Sequence, residues 1–376
     1  MPLYLTVLLS ILNQIALKGS KMLVALYAIE LDASPIAIGM LISTYALFPL
    51  LLAVYAGKVS DRAGVRRPMV LGSFGVSVGL LLPFLVPTMM TLYVSSALIG
   101  MASLFFHVSV HNLVGSLGDA KARTGNFGTF SLGSSISGFI GPLLVGFIID
   151  HFGYLPAYLS LAAIAIVPCL VLSFYAGFIP QRIQSHPEDR GSGMRDLLGN
   201  AHLRRTLITG GLIITGIDLY NFYMPIYGRS IGLSASVIGI VLGMQAAAAF
   251  VVRLWMPRLA GRYGEHRVLT ASLLVAGVTY LAFPMVENAF LLGLISFVLG
   301  LGLGCGQPLS IILTYNHAPA SRAGEALGLR LTVNKFTQIV VPVVFGSLGT
   351  AAGIFPVFWL NALLLLAGGY LSAGKR

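Results

Sequence analysis

Charge is scarce in this chain. Asp, Glu, Lys and Arg make up 9% of its 376 residues, where a soluble globular domain carries about 25%. That scarcity excludes an ordinary water-soluble fold. Cysteine is rarer still: Cys169 and Cys305 are the only two, and both stand inside apolar runs. They read as packing residues, which excludes a disulfide framework and a thiolate metal cluster. No Gly-x-x-x-x-Gly-Lys-Ser/Thr stretch occurs, so no P-loop for nucleotide hydrolysis is present. Nor does any Ser-His-Asp set, metal-ligand cluster or nucleophile motif stand at a membrane surface. The sequence therefore points away from an enzyme and implies no cofactor and no metal. A membrane enzyme or sensor is the alternative from another class, and a sensor would add a soluble output domain for which no stretch is evident.

What the chain has instead is apolar length, with 57% hydrophobic residues. A run of about 20 such residues crosses the hydrocarbon core as a helix, which alone satisfies its own backbone there. Twelve runs qualify, near 3–29, 35–56, 69–87, 91–115, 124–149, 155–178, 205–227, 235–256, 268–286, 289–315, 326–349 and 353–373. The expected fold is an all-α membrane bundle of twelve transmembrane helices. A polar stretch at 179–204 divides it into six-helix halves at 1–178 and 205–376. The first run lacks a basic start and an Ala-x-Ala site, so it reads as a span and not as a signal peptide.

The net charge of +11 invites a nucleic-acid reading, which its distribution removes. Alternate connections hold 17 of the 23 Lys and Arg, while the opposite ones hold Arg229 against Glu30, Asp32, Asp150 and Glu287. This is the positive-inside pattern, and it puts both termini and the 179–204 stretch in the cytoplasm, in a bacterial inner membrane.

A loop motif occurs twice, 200 residues apart. The first copy runs Gly57-Lys-Val-Ser-Asp61-Arg62-Ala-Gly64-Val-Arg66-Arg67, and the second carries Arg262, Gly264 and Arg267 in the same register. The same offset pairs Tyr27 with Tyr227, Ser34 with Ser234, Gly39 with Gly239, Gly128 with Gly328, Pro142 with Pro342 and Gly146 with Gly346. Such internal duplication marks secondary transporters, with two pseudo-symmetric halves.

The pattern Gly-x-x-x-Asp-Arg-x-Gly-x-Arg-Arg between the second and third runs resembles the signature loop of the major facilitator superfamily. The resemblance extends over the twelve runs, the central linker and the degenerate second loop. It implies alternating access around a cavity lined by spans one, four, seven and ten. It also implies a gating role for Gly57, Asp61, Arg62, Gly64, Arg66 and Arg67, with Arg262, Gly264 and Arg267 as the weaker second set, since Gly261 replaces the acid. Span five carries Gly138-Phe-Ile-Gly141-Pro142-Leu-Leu-Val-Gly146, which resembles the Gly-Pro motif of proton-coupled exporters. It makes Gly141, Pro142 and Gly146 a helix bend. Span four lacks the Arg that those exporters carry in its outer half.

Ionisable residues at membrane depth are costly, so each is a candidate for function. Span one carries Asn13, Gln14, Lys18 and Lys21, span seven Asp218, Tyr220 and Asn221, and span eleven Arg330, Asn334, Lys335 and Gln338. With Gln245 and Gln307 they form the expected substrate-binding set. Arg253, near the end of span eight, and Arg330, near the start of span eleven, are placed to snorkel. Lys18 and Asp218 are equivalent under the repeat, which suggests coupling directly or through substrate, with Asp218 as proton carrier. His107, with His111 one turn on, could relay protons. The cationic surplus favours anionic cargo.

The expected protein is a monomeric secondary transporter in the lipid bilayer. It would be proton-coupled, moving a small or amphipathic organic anion, with a lean to export. A broad-specificity exporter of hydrophobic compounds is the close alternative.

Overall fold

The computed structural model describes residues 2–117, 120–175, 199–318 and 323–373, without the side chains of residues 54, 61, 120–124 and 323–324. The expected linker at 179–204 falls almost wholly outside the described residues. All regular structure among them is helical, and twelve helices are long and apolar enough to span a membrane. The first six are Pro2–Glu30, Pro35–Ala63, Arg66–Leu85, Met89–Ser116, Ala120–Phe152 and Tyr154–Phe174. The second six start with Ala201–Ser230, Ala235–Tyr263 and Glu265–Ala282, the last extended by a 3-10 turn at Phe283–Met285. Span ten is in two pieces, Ala289–Gly304 and Gly306–His317, and Ala323–Ala352 and Ile354–Ala373 complete the set. Several helices run further than their apolar cores, because polar first and last turns continue the hydrogen-bond ladder beyond the hydrocarbon zone.

The 200-residue offset holds in backbone detail. Ser34 and Ser234 cap spans two and eight at φ −68°, ψ 156° and φ −68°, ψ 159°, accepting from the N–H groups of Ala37 and Val237. Each cap precedes the same turn of helix and satisfies one of its orphan donors. Gly64 and Gly264 end those spans at φ 74° and 84°, and Gly153 and Gly353 join the fifth to sixth and eleventh to twelfth spans at φ 89° and 81°. At these φ values an L side chain is strained, so glycine recurs at both copies.

The halves meet along two crossed pairs, span five on span eight and span two on span eleven. At one end of these pairs glycines let backbones touch. A Cβ on Gly39 would lie 2.2 Å from the Pro342 carbonyl oxygen, and one on Gly239 2.5 Å from that of Pro142. One turn further out, a Cβ on Gly146 would lie 2.3 Å from the Ala235 carbonyl oxygen and one on Gly346 2.9 Å from that of Pro35. At the other end, which carries the motif loops, Gly57, Gly128, Gly261 and Gly328 have open space around them. Among the described residues the bundle is thus sealed at one face and looser at the other. Small residues at helix crossings are how membrane helices gain packing energy without a hydrophobic drive.

Two side chains fasten the sealed face across the halves. The Asp150 carboxylate accepts from the N–H groups of Ala235 (3.0 Å) and Ser236 (2.7 Å) at the start of span eight. Its repeat partner Thr350 accepts from the Ile36 N–H (3.2 Å) at the start of span two. A carboxylate at a helix N-terminus meets both orphan donors and the positive dipole end. Glu30 and Arg229 add an exposed ion pair at 3.6 Å.

Candidate functional site

Between the halves lies a cavity of about 190 Å³, lined from spans one, five, seven, eight and ten. Its polar groups are Lys18, Lys21, Ser134, Ser135, Asp218, Asn221, Gln245 and Arg253. The i, i+3 spacing of Lys18 with Lys21 and of Asp218 with Asn221 puts each pair on one helical face.

Arg253 is the correction the structure makes most plainly. Instead of snorkelling, it turns inward. Its Nε donates to the Gly304 carbonyl (3.1 Å), and its Nη1 donates to the Ser131 carbonyl (3.2 Å) and Ser135 Oγ (2.7 Å). It therefore ties the second six spans to span five of the first. The Gly304 carbonyl needs a partner because span ten is interrupted at Cys305, and a cation there also complements the negative end of the Ala289–Gly304 helix. Arg330 does not snorkel either. It is 5% exposed, donating from Nε to Ser310 Oγ (3.1 Å) and from Nη2 to the Gln307 carbonyl (3.2 Å). Two arginines thus brace the two pieces of the broken span. Arg330 does not line the cavity, and neither does Gln307.

Lys18 donates to the Ser134 carbonyl (2.5 Å) and Ser134 Oγ (3.1 Å) across the span one–span five contact. Asp218 Oδ2 is buried without a hydrogen-bond partner among the described residues. The direct Lys18–Asp218 pair is not formed: pseudo-symmetry gives the two residues equal depth, but the Lys18 side chain follows span five. Lys335 donates to Gln338 Oε1 (2.9 Å) and lies within electrostatic reach of Lys21 and Asp218. Lys18, Lys21 and Arg253 feel one another likewise. The cavity is a cluster of cations around one carboxylate.

Other expected residues point elsewhere. Asn13 donates to Ser73 Oγ (3.4 Å) and Gln14 to Ser10 Oγ (3.0 Å), both within the first six spans. Tyr220 is fully buried, donating to the Val241 carbonyl (2.8 Å) beside the Phe283 ring. Asn334 is buried in span eleven, away from the cavity lining. His107 packs its ring edge-to-face with Phe106, in reach of the charges on His111, Lys18 and Lys335. Span four contributes nothing to the lining, contrary to the expected four-span cavity; span five takes its place. A Cβ on Gly141 would lie 2.9 Å from the Ile15 carbonyl oxygen, Gly146 packs against span eight, and Pro142 lies inside a continuous helix.

In the motif loop, Arg66 donates to the carbonyls of Leu172 (2.9 Å) and Ser173 (2.7 Å), closing the end of span six. Arg62 and Arg67 are exposed, as are Arg262 and Arg267 of the second copy. The Asp61 side chain lies outside the described residues. Among the described residues no group of His, Cys, Asp or Glu is placed to hold a metal ion.

Twelve spans, a sealed face, a loose face and a charged cavity between two crossed halves define a secondary transporter. The family model of the Major Facilitator Superfamily matches residues 6–334 and 206–374. The chain belongs to that superfamily. Among its relatives are the multidrug resistance protein MdtG of Dickeya zeae and that of Salmonella arizonae. The first is 23% identical over 343 residues, 89% of this chain and 83% of the relative. The second is 22% identical over 337 residues, 87% and 82% of the two chains. The fold is shared with the nucleoside transporter NupG, at a TM-score of 0.81, 14% identity and 99% coverage of both chains. A POT peptide transporter superposes with a TM-score of 0.83 at 15% identity, covering 99% of this chain and 93% of that one.

Proposed function

We propose that this chain is a broad-specificity exporter of amphipathic compounds, driven by protons and working by alternating access. The observation that carries export is the similarity to multidrug resistance proteins over 87–89% of the chain. It moves the balance from a dedicated organic-anion carrier to the multidrug alternative. A second reading rests on the cavity: Lys18, Lys21 and Arg253 against Asp218 alone favour anionic members of the cargo range, since cations in a low-dielectric site are stabilised by a bound anion.

Asp218 is the proposed proton carrier, because its carboxylate oxygen is buried without a partner among the described residues. Protonation removes the cost of that isolated charge. Lys335, within electrostatic reach of Asp218, is its proposed basic partner when the site is loaded with cargo. The two motif loops gate the cytoplasmic face. With the positive-inside orientation, the sealed face is external and the conformation opens to the cytoplasm. That is the state in which an exporter collects cargo.

The test is drug resistance conferred on an efflux-deficient bacterial strain, measured for matched anionic, neutral and cationic amphiphiles. Resistance is expected for anionic and neutral compounds and lost in Asp218→Asn. Resistance confined to cations contradicts the role of the basic cavity, and accumulation of every compound contradicts export.

A further inference from the structure

A second cavity is larger than the central one. A pocket of about 630 Å³ opens at the motif-loop end of the second six spans, between spans seven, nine, ten and twelve. His202, Arg205, Thr206 and Thr209 line it from span seven, at the i, i+3, i+4, i+7 spacing of one helical face. His266, Arg267 and Thr270 come from span nine, His317 from span ten and Ser372 from span twelve. The three imidazoles gather around His317, with ring centroids 5.5 Å from His202 and 5.3 Å from His266. They do not form a metal-binding group. Thr206 Oγ1 lies 3.0 Å from His317 Nδ1, and Thr270 Oγ1 donates to Ser372 Oγ at 3.0 Å. Glu265, next to His266 in sequence, is not part of the lining and accepts from Asn316 Nδ2 at 3.1 Å.

The repeat shows what this region looks like when it has nothing to bind. Under the 200-residue offset Arg205, Thr209, Thr270, His317 and Ser372 correspond to Leu5, Leu9, Val70, Leu117 and Leu172. In the first six spans those five residues belong to a packed apolar cluster around Met69 and Phe106. At those five positions the second copy carries three hydroxyls, one guanidinium and one imidazole, and a hole lies among them.

We propose that the pocket binds a phosphate group. The chemistry fits: the lining brings together two guanidinium groups, three imidazoles and several hydroxyls, and among the described residues no carboxylate belongs to it. Arginine pairs phosphate with forked, charge-assisted bonds. Two sources present that group, the headgroup of an anionic phospholipid and a soluble phosphate ester. Leu274 and Leu371 also line the pocket and are exposed on the bundle surface, so acyl chains would run down the protein from a headgroup seated among the basic residues. Basic pockets between helices at the membrane surface hold lipid headgroups in this way.

The experiment compares thermal unfolding midpoints of the full chain in phosphatidylcholine nanodiscs, alone, with added phosphatidylglycerol, and with added inorganic phosphate. A ligand that binds only the folded state raises the midpoint. The expected result is a rise with phosphatidylglycerol, abolished when Thr209→Leu and His317→Leu restore the packed arrangement of the first six spans. Arg205→Gln, at an exposed position, gives the same readout if the double variant does not fold. A rise with inorganic phosphate alone supports the pocket and assigns the soluble source. No rise with either ligand overturns the proposal. So does a rise that survives both pocket changes, or one lost equally in Lys58→Gln, an exposed cation in the first motif loop, since the effect would then be general surface charge.

Discussion

The two halves of this transporter agree closely where they touch each other and disagree where they surround something. At the sealed face the repeat is kept atom for atom in kind: glycine on a proline carbonyl at Gly39–Pro342 and again at Gly239–Pro142. Inside, span four is one helix from Met89 to Ser116, whereas its counterpart is split at Cys305 and braced by Arg253 and Arg330. Those arginines correspond to Ala53 and Phe130 in the first half. At the periphery one half holds a packed apolar cluster and the other a polar pocket. Contact between halves binds both copies to one geometry, because a change on one side needs a matching change on the other. Surfaces away from that contact carry no such mutual constraint, so the two halves differ there.

The sharpest way to break this comparison is to fill the shared seal. Gly39→Val or Gly239→Val drives a side chain into a backbone carbonyl that cannot move aside. Overpacking costs about 1–3 kcal/mol, which shifts an equilibrium about 5–150-fold. Both variants should lose most transport and favour the state open at the sealed face, measured by cysteine accessibility from that side. Gly128→Ala and Gly328→Ala, which meet open space, are the matched controls and should stay near wild-type. Equal effects at all four positions would remove the distinction between the two ends.

Arg253→Gln comes next. It removes the cation bracing the break in span ten and the bridge to Ser131 and Ser135. Losing charge-assisted bonds costs about 1.5–3 kcal/mol each, so transport should fall at least tenfold and Arg253→Lys should restore only part. Ala53→Gln, at the equivalent site, should change little.

Asp61→Asn tests the loop asymmetry. It should impair transport while the protein still inserts into the membrane, whereas Gly261→Asp should leave transport largely unchanged. Unaltered transport in Asp61→Asn would end its gating role.

The fastening at the sealed face is also unequal. Asp150→Ala removes two charge-assisted caps, and Thr350→Val a single neutral one. Helix caps are worth about 0.5–2 kcal/mol, so Asp150→Ala should loosen that face by up to about thirtyfold and Thr350→Val by less. Glu30→Gln stands last: both partners of its ion pair are about half exposed, and such pairs contribute about 0–1 kcal/mol. Its effect on accessibility should be close to nil.

The spans and the repeat were legible in the sequence because both are one-dimensional signals: apolar run length and a gapless 200-residue offset. Lys18, Lys21, Asp218, Asn221 and Gln245 were legible as intramembrane polar residues and do line the cavity. Side-chain direction was not. Distance from a helix end gave Arg253 and Arg330 a route to the surface, but the freed backbone of span ten offered nearer partners. The signal was present in Gly300, Gly302, Gly304, Gly306 and Pro308, a glycine and proline run that marks a discontinuous helix. Tyr220 shows the same limit, since it is buried with its hydroxyl donating to the Val241 carbonyl and it does not line the cavity. The pocket at His317 escaped notice because its residues are far apart in sequence, though comparison of His317 with Leu117 would have exposed it.

The crossed pairing of residue 39 with 342 and residue 239 with 142 is that of an isologous interface, in which one patch meets its own copy and each contact occurs twice. In six-helix terms, position 39 of one unit meets position 142 of the other, and the reverse. Two identical six-helix chains would already possess both contacts and close without any further invention. The single polypeptide therefore has the architecture of a two-fold dimer joined end to end, and the joining is what freed its second unit to stop resembling its first.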